Sequence, residues 1–397
     1  MSNADWMARG QNVVANTYAR YPVALVRGEG CRVWDADGKE YLDFVAGIAV
    51  NNLGHCHPKV VAALRQQAGT LLHCSNLYHI APQIELAEWL CAHSFADKVF
   101  FGNSGAEANE AAIKLARKVA QDRHGKERFE IVTALMSFHG RTLGTIAATG
   151  QEKVKVGFDP LMPGFRYAPY GDLAAMEAAI TPATCAIMLE PLQGEGGVVE
   201  PPAGYLQAVR QLCDRNGLLL IFDEIQTGCG RTGTLFAYQH EGVIPDIMTL
   251  AKALAGGPPI GAMLAKGAVM DHFGPGNHAS TFGGNPLLTA TALAAMRTLV
   301  EDGILENAVA MGAYFRGELA KIAAEMPCAT GVRGRGLLLG LQLDRDGVPL
   351  VKAAMEQGLL INCTVGTVLR FLPPLTVTRE EIDRALAILR PLLAALN

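Results

Sequence analysis

The chain has 397 residues, of which 50% are hydrophobic and 18% are charged, so it can bury a large core, and its length implies roughly two domains. The net charge of −4 gives no basic surface for nucleic acid, and the sequence has no run of about 18 apolar residues, so we expect neither a nucleic-acid nor a membrane partner. Residues 1–6 lack the basic and apolar regions of a secretory signal, so we expect a cytoplasmic protein that binds small molecules.

The first predicted element is a small β-hairpin. Residues 32–35 and 41–44 flank Asp37 and Gly38, which form a strong turn signal. From about residue 57 onward, helical windows alternate with short apolar runs, which lie at residues 129–135, 184–189, 218–222, 247–250 and 260–264. Strands that alternate with helices at this spacing predict an α/β fold with a mainly parallel sheet covered on both faces.

The C-terminal part of the sequence has a different pattern of predicted elements. Two long Ala- and Leu-rich helices are predicted at residues 286–301 and 304–325. Short strands are predicted around residues 336–343 and 359–362, and a closing helix from about residue 379. We therefore expect an N-terminal segment, residues 1–55, that packs with a small domain, residues 301–397, and a large domain, residues 56–300.

The cysteines give no framework for disulfides or metal. All nine are scattered, and none forms a Cys-x-x-Cys pair, which favours reduced and mostly buried thiols. His55, Cys56 and His57 are adjacent, so they cannot easily converge on one ion, and no distant cluster matches them. We expect no metal site.

An acid and a lysine that each follow a strand-like run are the main indication of function. Asp223 follows residues 218–222, and Lys252 follows residues 247–250. Pyridoxal phosphate needs an amine to form a Schiff base and a carboxylate against its pyridine nitrogen. The small or apolar neighbours of Lys252 favour a neutral amine. The alternatives are that Asp223 caps the next segment and that Lys252 extends into solvent from the edge of a helix.

A glycine-bearing turn that leads into a helix, residues 103–117, predicts a phosphate site. Free N–H groups at Gly105 and Ala106, with the positive end of the helix dipole, suit a dianionic phosphate. Ser104 and Glu107 have the spacing of a capping box, so an ordinary well-capped helix is the alternative. A non-catalytic nucleotide- or phosphate-binding protein built around this turn also stays open.

Four further side chains suit a flat cofactor and its substrate. Phe138 can stack on a heteroaromatic ring, and Arg141 can bind a carboxylate through two hydrogen bonds. Ile225 can pack on one ring face, and Gln226 can hydrogen-bond a phenolic oxygen. Taken alone, Phe138 would be a core residue and Arg141 part of a surface ion pair.

Three segments have the composition of loops that approach a ligand closely. Glu195 lies among glycines, and Ser280 and Thr281 precede two glycines. Arg370 interrupts an otherwise apolar strand, which is costly unless its charge is paired or faces a site. The alternative is an edge strand with Arg370 in solvent.

Together these motifs resemble those of the class III pyridoxal-phosphate aminotransferases, from about Tyr21 to the C-terminal helix. The motifs that carry the resemblance are, in chain order, Asn-Ser-Gly-Ala-Glu-Ala-Asn-Glu-Ala, Phe-His-Gly-Arg-Thr, Asp-Glu-Ile-Gln-Thr-Gly-Cys-Gly-Arg-Thr-Gly, Ala-Lys-Ala-Leu and Ser-Thr-Phe-Gly-Gly-Asn-Pro. The resemblance implies fold type I, in which helices sandwich a mainly parallel, seven-stranded-type sheet and a smaller α/β domain is attached. It also implies a homodimer whose active sites lie at the subunit interface.

The resemblance assigns roles to the candidate residues. It implies pyridoxal 5'-phosphate as the cofactor, Lys252 in the Schiff base, and a Glu195 that releases Arg370 to the α-carboxylate of 2-oxoglutarate. The residues implied to contact the cofactor are Ser104, Gly105, Ala106, Phe138, Asp223, Ile225, Gln226, Lys252 and, from the partner subunit, Thr281. The residues implied to contact substrates are Arg141, Ser280, Glu195 and Arg370. Many relatives carry Thr where this chain has Ala106, so we expect the phosphate, and with it the cofactor, to be bound more weakly.

Within the family, four segments resemble the acetylornithine aminotransferases most closely, namely Gly28-Glu-Gly, Ala46-Gly-Ile-Ala-Val, Gly54-His-Cys-His-Pro and Leu359-Leu-Ile-Asn. This implies transfer of the δ-amino group of N2-acetyl-L-ornithine to 2-oxoglutarate, a step of arginine biosynthesis, with ping-pong kinetics. Sister transaminases acting on succinylornithine, ornithine, N-succinyldiaminopimelate or 4-aminobutyrate share the cofactor residues and stay open. An aminomutase of the same fold, which would need no 2-oxoglutarate, stays open as well.

Overall fold

The computed structural model describes residues 1–396. Its α-helices are α1 (Asn3–Val13), α2 (Ala46–Ala49), α3 (Pro58–Ala68), α4 (Ala81–Ala92), α5 (Gly105–His124), α6 (Leu143–Ala148), α7 (Leu173–Ala178), α8 (Tyr205–Asn216), α9 (Gly267–Met270), α10 (Pro286–Glu301), α11 (Ile304–Glu325), α12 (Val348–Glu356) and α13 (Arg379–Ala394). Its strands are β1 (Leu25–Glu29), β2 (Arg32–Asp35), β3 (Glu40–Asp43), β4 (Lys98–Gly102), β5 (Glu130–Ala134), β6 (Phe165–Ala168), β7 (Thr184–Leu189), β8 (Leu219–Asp223), β9 (Ile247–Leu250), β10 (Gly261–Ala265), β11 (Ala329–Arg335), β12 (Leu338–Leu343), β13 (Leu359–Leu360), β14 (Asn362–Thr364) and β15 (Val368–Phe371). Short 3-10 helices occupy Glu152–Val154, Ala237–His240 and Lys252–Ala255. None of the helices in residues 1–396 combines the length and apolar character that crossing a bilayer requires.

The sheet with the most strands in the described residues has seven, in the order β4-β10-β9-β8-β7-β5-β6. The pairs from β9 through β8, β7 and β5 to β6 are parallel, whereas β10 runs antiparallel to both β4 and β9. Every residue of β7, β8 and β9 is buried, as expected of strands covered on both faces by helices. This confirms the predicted α/β fold with a mainly parallel sheet.

The predicted strand positions are accurate where the apolar run is uninterrupted. β7 and β9 coincide with their predicted runs, and β5, β8 and β10 differ by one residue at their ends. β4 and β6 were not predicted, because both are short and contain a basic residue, Lys98 at the start of β4 and Arg166 within β6. The direction of β10 was not predicted either, since a local pattern carries no information about the direction of its neighbours.

α5 covers one face of the sheet and begins at the site described below. Ser104 is its N-cap, and the Ser104 Oγ accepts a hydrogen bond from the backbone N–H of Glu107 over 3.2 Å. The Glu107 carboxylate accepts the backbone N–H of Asn103 instead of that of Ser104, so the expected capping box is only half formed. The apolar stripe that includes Ala112 and Leu115 is fully buried, and this burial holds the helix on the sheet.

Two smaller sheets complete the fold. One has the order β1-β2-β3-β13, and it contains the predicted hairpin of β2 and β3. β13 joins this sheet by pairing parallel with β3, so the C-terminal part of the chain completes the N-terminal sheet. The other has the order β11-β12-β15-β14 and is antiparallel. From this arrangement we propose the same units as from the sequence: residues 1–55, 56–300 and 301–397.

Candidate active site

A cavity of about 440 Å³ lies at the carboxyl ends of the parallel strands, which is where ligands bind in open α/β sheets. Its walls come from the segments that follow β4, β5, β7, β8 and β9, and these loops meet because the strands point the same way. The cavity brings together most of the predicted residues, namely Ser104, Gly105, Ala106, Phe138, Arg141, Glu195, Asp223, Ile225, Gln226 and Lys252.

Lys252 lines this cavity immediately after β9. Its backbone has a positive φ of 43°, a strained conformation for a residue with a Cβ and one that is concentrated at functional sites. Burial lowers the pKa of the Lys252 amine, the charge of Glu195 raises it, and the charge of Arg370 lowers it again. The net lowering favours the neutral amine, which is the nucleophilic form. Lys252 therefore does not extend into solvent from the edge of a helix.

Asp223 ends β8 and is held by a buried network. Its Oδ2 accepts hydrogen bonds from His139 Nδ1 over 2.7 Å, when that nitrogen carries the proton, and from Asn109 Nδ2 over 2.8 Å. Thr249 Oγ1 donates to Asn109 Oδ1 over 2.7 Å and fixes the amide in this orientation. Asp223 Oδ1 accepts only the backbone N–H of Ile225, over 3.1 Å, and so retains capacity for a ligand.

His139 is the main electrostatic neighbour of Asp223. Burial lowers the pKa of His139, but the hydrogen bond and the charge of Asp223 outweigh burial, so the pKa is raised overall. A histidine that holds its proton in this position supplies a hydrogen-bond donor and a positive charge to the Asp223 carboxylate. Such a carboxylate can stabilise a protonated ring nitrogen.

The N-terminus of α5 forms another wall of the cavity. Ser104, Gly105 and Ala106 line it, and the first amides of an α-helix have no acceptors within the helix. A Cβ at Gly105 would lie 2.8 Å from Ile225 Cδ1, so only glycine fits there without displacing Ile225. Ala106 supplies no hydroxyl, which leaves backbone amides and Ser104 as the anion-binding groups.

Phe138, Arg141 and Glu190 border the cavity on the side that follows β5 and β7. Phe138 is half-buried, and the Arg141 guanidinium carbon lies 5.5 Å from the centre of its ring. The Glu190 carboxylate accepts the backbone N–H of Phe138 over 3.2 Å and that of Gly194 over 3.3 Å. Burial raises the pKa of Glu190 to about 7. Arg141 is exposed, and its guanidinium is accessible to a substrate.

Glu195 and Arg370 form an ion pair at the edge of the cavity. Arg370 Nη1 donates to Glu195 Oε1 over 2.6 Å and to Gln226 Oε1 over 3.1 Å, and Gln226 Nε2 donates to Glu195 Oε1 over 3.2 Å. Arg370 is fully buried, and β15 lies between β12 and β14. The alternative of a solvent-facing arginine on an edge strand is therefore wrong. Arg370 Nη2 is buried and has no hydrogen-bond partner among residues 1–396.

Ser280 and Thr281 do not reach this cavity within one chain. They line a separate cavity of about 720 Å³ together with residues 75–77 and other segments. Ser280 Oγ accepts hydrogen bonds from Asn103 Nδ2 over 3.1 Å and from the backbone N–H of Gly283 over 2.9 Å. Thr281 is exposed.

Sequence reasoning missed three residues of the site. Glu190 lines the cavity, and His139 and Asn109 hold Asp223. His139 lies next to Phe138 in a motif that was identified, so its position was available but its role was not. Asn109 looks like one more polar residue of a helix, and only the fold brings it to β8.

Comparison with known proteins identifies the family. The family model described as aminotransferase class-III matches residues 13–393. The chain belongs to the class III aminotransferases. The acetylornithine aminotransferase of Caldanaerobacter subterraneus subsp. tengcongensis is 56% identical, with 96% of this chain and 97% of the relative covered. That of Methanocaldococcus jannaschii is 51% identical, with 96% of each chain covered.

Solved structures of class III aminotransferases share the fold. The ornithine aminotransferase of Toxoplasma gondii superposes with a TM-score of 0.96 at 37% identity, covering 100% of this chain and 96% of that chain. The acetylornithine aminotransferase of Elizabethkingia anophelis superposes with a TM-score of 0.89 at 36% identity, covering 100% of both chains. These comparisons confirm fold type I and a pyridoxal-phosphate-dependent transaminase.

The residues of the cavity fit the cofactor of class III aminotransferases. Pyridoxal phosphate requires an amine, an acid for its ring nitrogen and an anion site for its phosphate. The cavity contains a half-buried amine of lowered pKa at Lys252, a carboxylate with an available oxygen at Asp223, and a helix N-terminus at Gly105 that a side chain would obstruct.

Proposed function

We propose that this protein transfers the δ-amino group of N2-acetyl-L-ornithine to 2-oxoglutarate and produces N-acetyl-L-glutamate 5-semialdehyde and L-glutamate. The observation that carries the proposal is the Arg370–Glu195 pair beside Lys252, in which a buried guanidinium keeps one nitrogen unpaired. An arginine of this kind can exchange an internal carboxylate for that of a substrate. Identities of 56% and 51% with acetylornithine aminotransferases support the choice of donor.

In this proposal Lys252 would bind the cofactor aldehyde, Asp223 would contact the ring nitrogen, and the N-terminus of α5 would bind the phosphate. The bound cofactor supplies an electron-accepting ring that weakens the bond to hydrogen at the substrate carbon. Asp223 Oδ1 would accept a hydrogen bond from the protonated ring nitrogen, and His139 holds the carboxylate in place through Oδ2. The Lys252 amine would take up the proton of the substrate carbon and return it, and its lowered pKa suits that role.

The remaining roles follow from shape and charge. We propose that Phe138 and Ile225 contact the two ring faces and that Gln226 donates to the phenolic oxygen after leaving Glu195. Arg141 is placed to bind the substrate carboxylate that lies far from the reacting carbon, since its exposed guanidinium lies at the cavity wall.

Glu195 and Arg370 allow two unlike substrates to use one cavity. While the amino donor is bound, Glu195 neutralises Arg370, so no substrate carboxylate is needed there. When 2-oxoglutarate binds, its α-carboxylate replaces Glu195 on Arg370 and also reaches the unpaired Nη2. Since the two substrates occupy the cavity in turn, we expect ping-pong kinetics.

We also propose a homodimer in which each subunit completes the site of the other. Ser280 and Thr281 lie outside the Lys252 cavity, and exposed apolar side chains surround them. Leu77, Tyr78 and Phe282 are 84%, 68% and 61% exposed, and such a patch is typical of an interface. Contact through this patch would bring the partner subunit's Ser280 to the substrate and the partner subunit's Thr281 to the phosphate. Light scattering of the holoenzyme would test the dimer.

A half-reaction panel tests the donor. Each ω-amine is mixed with the pyridoxal form, and the absorbance change to the pyridoxamine form is timed. We expect N2-acetylornithine to react fastest among acetylornithine, succinylornithine, ornithine, N-succinyldiaminopimelate and 4-aminobutyrate. Lys252→Ala is the control and should show no comparable change. If free ornithine reacts much faster, the protein has the activity of its Toxoplasma gondii structural neighbour instead.

A further inference from the structure

Arg231 is a buried arginine outside the cavity. It is fully inaccessible to solvent, and no carboxylate of residues 1–396 forms an ion pair with it. Its Nη1 donates to the carbonyl oxygens of Leu337, over 2.9 Å, and Pro373, over 2.6 Å, and its Nη2 donates to Asn52 Oδ1. These three acceptors come from three separate segments of the chain.

A charge in this position is costly for the folded state. Burial lowers the pKa of Arg231 to about 9 and outweighs the opposing effect of Cys31, and no carboxylate of the described chain pairs with the guanidinium. Its Nε is also buried without a hydrogen-bond partner in the described chain. An apolar core would be at least as stable in such a place, so stability alone does not account for the residue. Unlike an apolar side chain, a guanidinium supplies several hydrogen-bond donors that are fixed in one plane.

Backbone contacts fix the surroundings of Arg231. The N–H of Leu337 donates to the carbonyl of Arg231 over 3.0 Å, and Asn52 Nδ2 donates to the carbonyl of Cys229 over 2.8 Å. The N–H of Leu375 in turn donates to the carbonyl of Asn52 over 2.6 Å. The segment that follows Asp223 is therefore bound at one point to Asn52, to the turn between β11 and β12 and to the segment after β15.

Arg231 and Pro373 lie close in sequence to the side chains that would bind substrate. Pro373 follows Arg370 by three residues on one extended segment, and Gln226 precedes Arg231 by five residues. The Arg370 Nη1 to Gln226 Oε1 distance of 3.1 Å is near the upper end of a good hydrogen bond. A relative displacement of about 1 Å between the two segments would break it.

We propose that Arg231 is a positioning residue that fixes Arg370 against the cofactor-binding segment and thereby determines the affinity for the α-carboxylate of 2-oxoglutarate. This rests on the proposed function, in which Arg370 receives that carboxylate. Arg231 acts through the Pro373 carbonyl, and it touches neither substrate nor cofactor.

The test is Arg231→Lys in the holoenzyme. Lysine keeps the positive charge, but its ammonium group cannot match the planar spacing of three acceptors. We expect the KM for 2-oxoglutarate to rise at least about tenfold while kcat stays within about threefold. The Kd of the cofactor and the visible absorption spectrum should change little, because Arg231 donates hydrogen bonds to none of the residues proposed to hold the ring or the phosphate. Calorimetric titration of the pyridoxal form, which has no amino group to transfer to 2-oxoglutarate, should show the same loss of affinity without turnover.

Arg210→Lys is the matched control. Arg210 also has a buried Nε without a partner, but it pairs with Asp246 over 2.7 Å and Asp214 over 2.8 Å, away from the substrate groups. We expect this variant to lower Tm without changing the KM for 2-oxoglutarate. If Arg231→Lys lowers Tm and leaves that KM and the calorimetric Kd unchanged, Arg231 is only a scaffold residue and the proposal is wrong.

Asn52→Ala is the second variant, in case Arg231→Lys does not fold. It removes one acceptor and keeps the arginine, so we expect a smaller rise in the KM for 2-oxoglutarate, about threefold, with the cofactor spectrum intact. An unchanged KM in a folded Asn52→Ala protein contradicts the proposal. A wild-type protein that neither binds nor consumes 2-oxoglutarate would contradict the proposed function itself, which is a different result from an unaltered variant.

Discussion

Replacing Glu195 by Gln tests how tightly an internal carboxylate holds Arg370. Burial raises the pKa of Glu195, but the charges of Arg370 and Lys252 outweigh burial and lower it from 4.5 to about 2. At about 1.4 kcal/mol per pKa unit, this shift corresponds to a net stabilisation of the Glu195 carboxylate by about 3 kcal/mol, after the cost of its burial is included. Lys252 and Gln226 also contribute to this stabilisation, so only part of it arises from the pairing with Arg370.

We expect Glu195→Gln to lower the KM for 2-oxoglutarate by about 5- to 100-fold, since a neutral amide competes weakly for Arg370. Glutamate should also become a faster amino donor, because its α-carboxylate no longer has to displace a charge. Steady-state kinetics with both substrates varied, together with the glutamate half-reaction, measures both effects. Glu200→Gln is the control: Glu200 follows in the same loop but pairs with Arg335 over 3.4 Å, so its KM values should not change.

Two results would refute this reasoning. One is a KM for 2-oxoglutarate in Glu195→Gln that is equal to or above that of the wild type. The other result concerns the pH dependence of stability. Because the pKa of Glu195 is lowered in the folded protein, its carboxylate stabilises the fold above pH 4.5, and this contribution is lost as pH falls from 4.5 towards 2. The Tm deficit of Glu195→Gln at pH 7 should therefore shrink at pH values below about 4.5, and a deficit that grows instead would contradict the ion-pair argument.

Three further predictions concern the cavity. Burial raises the pKa of Glu190 to about 7, so the folded protein keeps a proton on Glu190 that the unfolded chain loses. The contribution of Glu190 to stability therefore falls as pH rises from 4.5 to about 7. Glu190→Gln should have a higher Tm than the wild type at pH 8 and an equal Tm at pH 4. Gly105→Ala should weaken cofactor affinity about tenfold in a fluorescence titration, because its Cβ would displace Ile225, and Ile225→Val in the same chain should restore part of the loss. His139→Phe should lower kcat about tenfold by removing a donor to Asp223 Oδ2, and unchanged half-reaction rates in a folded His139→Phe protein would show that this hydrogen bond has no catalytic effect.

The sequence predicts those parts of the molecule that local patterns encode. The buried runs of β7 and β9 and the long helices α10 and α11 were predicted to the residue, because an unbroken apolar run or a regular helical period determines them. The direction of β10 and the pairing of β13 with β3 were not predicted, since partners from distant parts of the chain determine both.

The candidate site shows the same division. Lys252, Asp223 and Gly105 belong to contiguous motifs, each with a chemistry that can be argued from the residues themselves. Asn109 and Glu190 contribute only through contacts that the fold creates, as when Asn109 on α5 meets the end of β8. Networks of this kind are assembled from several segments and leave no local signal.

The pairing of β13 with β3 places a constraint on how the protein is made. The ribosome releases β3 early, whereas Leu359–Leu360, which cover its edge, emerge only near the end of synthesis. During that interval the backbone groups along the edge lack their strand partner, and open edges of this kind invite pairing between chains. The N-terminal hairpin is thus among the first parts of the chain to be synthesised and among the last to acquire its final neighbour.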